Sequence, residues 1–162
     1  MAKKKKGITK ANKTKLVKSV TALKDFVTKD SSLGGVTITN LYQVNNSANQ
    51  VTFDLDFRNF GVSAVTKAEL HDVNGTDVQL LNDVPGSLSN IPVGSNTLID
   101  GKFLNIKSIV TASSQTPVPQ NLNVSFSIDG GATTQAYPMP PAAFNNTGDS
   151  IVIDISIFFF HI

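Results

Sequence analysis

Between Gln50 and Phe60 the chain reads QVTFDLDFRNF, and no other stretch constrains the fold as strongly. Val51, Phe53, Leu55 and Phe57 fall on one side of an extended strand. Thr52, Asp54, Asp56 and Arg58 fall on the other. Strict alternation of this kind marks a strand with one face on a core and the other in water. Asn59 and Gly61 then break the pattern at a turn.

The same period recurs on both sides of that strand. Val36, Ile38, Tyr42 and Val44 predict a first strand, turned by Asn45-Asn46-Ser47. Ala64 to Val73 predicts a third, closed by the tight-turn pair Asn74-Gly75. Val78, Leu80 and Leu81 follow, and Asn82 to Ser95 reads as a polar stretch broken by Pro85-Gly86 and Pro92. Leu98 to Ile109 predicts one or two strands around Gly101, and Thr111 to Gln120 a linker with Pro117 and Pro119. Leu122, Val124, Phe126 and Ile128 alternate cleanly before Asp129-Gly130-Gly131 turns the chain into Ala132 to Tyr137. Pro138, Pro140 and Pro141 force an extended loop, and Ile151 to Ile162 forms the last strand. Seven or eight short strands with regular turn signals and no helices between them predict a mainly β fold. The expected architecture is an antiparallel β-sandwich of immunoglobulin-like or jelly-roll type over residues 35–162.

The last strand departs from the half-buried pattern. Ile151, Ile153, Ile155 and Ile157 line one face, but Phe158, Phe159 and Phe160 are consecutive and abolish the polar face. A strand apolar on both sides must be covered on both sides. The cover is either the chain's own N-terminal helix or a neighbouring subunit. An intersubunit contribution is expected.

Charge divides the chain in two. Ten lysines and two aspartates precede residue 31, whereas four cations and ten acids follow it. Residues 1–34 therefore read as a basic arm with one amphipathic helix, and the remainder as an acidic body. The helix is predicted from about Asn12 to Thr28, because Leu16, Val20, Leu23 and Val27 share one face. Lys10, Lys13, Lys15 and Lys18 crowd its positive dipole end, where cations are unfavourable unless an anion is present. Lys3, Lys4, Lys5, Lys6, Lys10, Lys13, Lys15 and Lys18 are the candidate contacts for an anionic partner. Leu16, Val20, Leu23, Val27, Phe158, Phe159 and Phe160 are the candidate assembly interface.

Signals for catalysis are weak. The chain has no cysteine, which excludes disulfides and thiolate metal sites. Glu69, His71 and Asp72 form the one acid–histidine cluster, and the other histidine is the remote His161. Asp54 and Asp56 share a face with Arg58, which suits an outward charge ladder better than a calcium site needing more oxygens. No phosphate loop or nucleophile elbow is present. No catalytic residue, metal or cofactor is expected. Ser127, Asp129, Gly131 and Thr133 match the spine of an Asp-box hairpin, with Thr134 where the aromatic usually sits. That motif reads as a structural staple.

Two resemblances add to this reading. The helix-like lead-in Leu23 to Val27, the strand Val51 to Phe57 followed by Asn59, and Ile91-Pro92-Val93-Gly94-Ser95 resemble the water-stress and hypersensitive-response (WHy) domain of the LEA-2 late embryogenesis abundant group. That likeness implies an immunoglobulin-like sandwich and a cytosolic stress-protective role, with no catalytic residues. Phe60 follows Asn59 where that family usually has proline. A lysine-rich arm joined to a β-sandwich also resembles small viral capsid and accessory virion proteins. That likeness implies a non-enzymatic structural component of capsid or tail, assembling through arm and C-terminal strand. Its partners would be other virion subunits or copies of itself.

The arm carries lysine without arginine or interleaved aromatics, which suits nonspecific attraction to nucleic acid rather than base reading. A nonspecific nucleic-acid-binding module outside any virus is the remaining alternative. The basic start lacks a following apolar core, so synthesis in a host cytoplasm without a secretory signal is expected. No run reaches the roughly 18 apolar residues of a membrane span.

Overall fold

The computed structural model describes residues 35–72 and 75–162. The arm, the amphipathic segment and Asn74 of the expected turn lie outside these residues. The alternating stretches become Gly35–Gln43 (β1), Gln50–Phe57 (β2), Val62–His71 (β3), Val78–Pro85 (β4) and Leu88–Ser95 (β5). One helical turn, Asn96–Ile99 (α1), leads into Phe103–Ala112 (β6). Gln120–Asn121 (β7), Val124–Asp129 (β8), Gln135–Tyr137 (β9), Ala143–Phe144 (β10) and Ser150–Phe160 (β11) complete the chain.

The strands form a five-stranded sheet in the order β1-β11-β6-β3-β4 and a four-stranded sheet in the order β5-β2-β8-β9. β7 and β10 make a small separate pair. Inward side chains from both large sheets join one hydrophobic cluster, including Phe53, Leu55 and Phe126 from one and Leu104, Ile106, Ile153 and Ile155 from the other. The organising strand β2 is central in its sheet, with Val51, Phe53 and Leu55 buried as the alternation requires.

Three expectations need correction. Pairing is antiparallel throughout except that β1 runs parallel to β11, so the larger sheet is mixed. The supposed polar stretch 82–95 holds half of β4 and all of β5. Leu88 and Val93 are both buried although an odd number of steps separates them. The positive φ of Asn90 (53°) and two register shifts against β2 absorb the extra residue as a bulge. Because β5 is an edge strand, Pro92 leaves no central ladder bond unmade. Third, Leu98 belongs to α1, and the strand beyond Gly101 begins only at Phe103.

The candidate assembly surface

Registration across the larger sheet places its outward residues in four rows. At one end Leu41, Phe158, Phe103 and His71 lie side by side. Next come Thr39, Ser156, Asn105 and Glu69, and then Thr37, Asp154, Lys107 and Lys67. Gly35, Val152, Ile109 and Val65 form the far row. Two apolar rows thus flank two polar ones, with about 20 Å between the outermost rows at six strand residues.

The far row is open, with Val65 39% and Ile109 48% exposed. The aromatic row is different. Phe158 is 4% and Phe103 9% exposed, their ring centroids 4.9 Å apart and tilted by 44°. Phe160 packs against the pair from the same face. Phe159 points the other way, is fully buried in the main core and meets Tyr42 edge-on at 6.0 Å. The aromatic triplet is therefore divided between two faces. The other candidate interface residues, Leu16, Val20, Leu23 and Val27, lie outside the described residues, as do all eight candidate lysines.

Polar groups on this face bind one another. Asn105 Nδ2 donates to Asp154 Oδ1 (3.2 Å) and Ser156 Oγ (3.3 Å). His71 lies between two carboxylates, with Nδ1 2.9 Å from Asp77 and Nε2 3.4 Å from Glu69. Asp72 turns away to Lys102 at 3.4 Å. The Glu69–His71–Asp72 cluster thus has Asp72 committed to a lysine. Among the described residues no group of three His, Asp or Glu could hold a metal ion.

On the outer face of the smaller sheet, Asp54 and Asp56 share a serine-lined trough with Arg58. Asp54 accepts from the Asn90 N–H at 2.6 Å, and Asp56 accepts from Arg58 Nε at 2.7 Å and Ser87 Oγ at 3.0 Å. The Arg58 hydrogen bond, helped by Ser87, holds the Asp56 carboxyl below the usual range. These oxygens serve the protein's own loops, as the charge-ladder reading anticipates.

The Asp-box hairpin acts as a staple. Asp129 accepts from Thr134 Oγ1, the residue in the aromatic's place, and from Gly130. Tyr42 Oη accepts from the Gly131 N–H (2.9 Å) and donates to Thr133 O (2.8 Å), tying β1 to the hairpin. Sequence reasoning missed Asn96, a fully buried amide. Its Oδ1 accepts from the Asn45 N–H, and its Nδ2 donates to the carbonyls of Asn49 and Gly130. Nothing in the local pattern distinguishes it from the polar loop residues around it.

Comparison with known proteins matches the chain to no family model, no curated protein and no solved structure. Among the described residues no helix is long and apolar enough to cross a membrane.

Proposed function

We propose that the protein is a non-enzymatic structural component of a virion, in capsid, accessory capsid or tail, that assembles through its N-terminal arm and the face presented by its C-terminal strand. The observation that carries this reading is the pair of apolar rows on the outer face of the larger sheet, centred on β11. A sheet face with aromatic side chains at one end and open Val65 and Ile109 at the other suits contact with another surface rather than with water. In this reading the lysines from Lys3 to Lys18 meet an acidic neighbour or nucleic acid. The partners are copies of this chain or other virion subunits.

Within the β class, the strand order supports an immunoglobulin-like reading over a jelly roll. The first strand joins the last, followed by β6, β3 and β4, while β2 and β5 pair in the opposite sheet. β8 and β9 are then a hairpin inserted before β11 that widens the smaller sheet. The same order favours the second reading, a LEA-2-like stress-protective protein whose arm is incidental.

Size-exclusion chromatography with light scattering, without nuclease and with absorbance at two ultraviolet wavelengths, separates the two. The chain has no tryptophan and two tyrosines, so bound nucleic acid would dominate the absorbance ratio. The assembly reading predicts a species larger than a monomer. A monomer free of nucleic acid contradicts it and favours the stress-protein reading.

A further inference from the structure

Val65 and Ile109, 39% and 48% exposed, belong to a row that crosses all five strands of the larger sheet without a polar side chain. It runs Gly35, Val152, Ile109, Val65 and, on β4, the exposed Pro85. Its two flanks differ in character. On one side stand Thr37, Asp154, Lys107 and Lys67, with Asp83 of β4 3.5 Å from the Lys67 ammonium. On the other stand Ser150, Thr111 and Ser63, the first two joined through their hydroxyls at 2.8 Å. Each flank lies two residues from the apolar row, about 7 Å along the strands.

We infer that a second copy of this chain covers the row, the outer faces of two larger sheets meeting about a two-fold axis that runs along it. Such a rotation lays each strand antiparallel on its own image and exchanges the two flanks. Ile109 and Val65 meet their own images, as an isologous contact requires. Lys67 of one copy then faces Ser63 of the other, Lys107 faces Thr111, and Asp154 faces Ser150. Every charge meets a hydroxyl, which can accept from a lysine or donate to an aspartate, and no like charges are brought together. A two-fold along the middle strand β6 would instead set Lys107 against its own image.

Packed sheets cross at about 30°. Ile109 lies on the middle strand, so this tilt displaces it least, and it forms the centre of the contact. Three overlapping rows across five strands cover on the order of 500 Å² per copy, near the lower limit for a specific interface. Such a dimer deepens the assembly reading on which it rests, naming the partner and the residue at its centre.

Single-cysteine crosslinking with a short bis-maleimide tests it in the full chain, which has no native cysteine. Ile109→Cys is compared with Thr39→Cys, exposed on the same face but two rows from the axis. Both positions are open to solvent, so neither replacement disturbs the core. Crosslinked dimers are expected at least about tenfold faster with Ile109→Cys than with Thr39→Cys. A mixture of Lys67→Cys and Ser63→Cys chains should also crosslink faster than either variant alone, which reports the direction of the axis. Equal rates for Ile109→Cys and Thr39→Cys overturn the inference, as does a Lys67→Cys chain that crosslinks to itself faster than the mixture. Light scattering on the unaltered chain separates the two claims. An assembled species without the Ile109→Cys crosslink overturns this dimer alone, whereas a monomer overturns the assembly reading with it.

Discussion

Phe158 and Phe159 are adjacent in sequence and lie on opposite faces of β11. Phe158 pairs with Phe103 outside the sheet, and Phe159 meets Tyr42 edge-on inside it. Phe159 has no route to solvent and neighbours on every side. Phe159→Ala is therefore expected to cost about 3–5 kcal/mol, whereas Phe160→Ala at the half-buried strand end should cost about 1 kcal/mol. Urea denaturation of the two variants measures the difference.

Asn96 joins the β1–β2 loop, α1 and the Asp-box hairpin through a single amide. Asn96→Ala strands the Asn45 N–H and removes the side-chain donor to the Gly130 carbonyl, while the Asn49 carbonyl keeps the Asn96 backbone N–H. A loss of about 2–4 kcal/mol is expected, because buried orphaned groups are costly. Hydrogen exchange should show Asn45 and its neighbours opening first, and unchanged protection there would contradict the bridging role.

Gly130 and Gly148 both have positive φ (88° and 86°), yet they differ in surroundings. A Cβ on Gly130 would run into the backbone carbonyl of Gln50, whereas one on Gly148 would meet open space. Gly148→Ala should cost about 1 kcal/mol for the left-handed backbone alone. Gly130→Ala should cost more, with a larger drop in Tm.

Stability should fall at both extremes of pH. Asp149 is held below the usual carboxylate range by the Asn146 and Asn145 N–H groups, each at 2.8 Å. Asp56 is lowered by Arg58, and Asp129 by Thr134. Their contribution is present above about pH 4 and is lost as pH falls through the depressed folded values. Asp149→Asn should flatten the acid limb of a Tm–pH curve.

At the alkaline end, burial raises both Tyr42 and Tyr137, so their contribution holds below about pH 10 and is lost above it. The chain has two tyrosines and no tryptophan, so absorbance near 295 nm follows their ionisation cleanly. Phenolate should appear only as the fold is lost. Normal titration in the folded state would contradict this.

Where side chains alternated without interruption, the fold was readable from the sequence. β2 and β8 depend on period-two patterns that survive intact, the isoleucines of β11 keep the pattern as far as Ile157, and the Asp-box residues announce their hairpin. β5 was hidden because the bulge at Asn90 shifts Leu88 and Val93 out of phase, and proline and glycine make the stretch resemble a loop. The parallel pairing of β1 with β11 joins opposite ends of the domain, and local pattern carries no information about it. The aromatic triplet was legible as an anomaly, but the register that sets Phe158 beside Phe103 and Leu41 exists only in three dimensions. Asn96 gave no signal because its importance lies in backbone partners from three separate segments.

The assembly reading is most directly tested by light scattering on the full-length protein as it elutes from size exclusion, alongside Val65→Lys and Ile109→Lys in the exposed row of the larger sheet. The account predicts a species larger than a monomer that dissociates in the two variants. A monomer free of nucleic acid from the full chain, or an assembly that both variants leave intact, would contradict it.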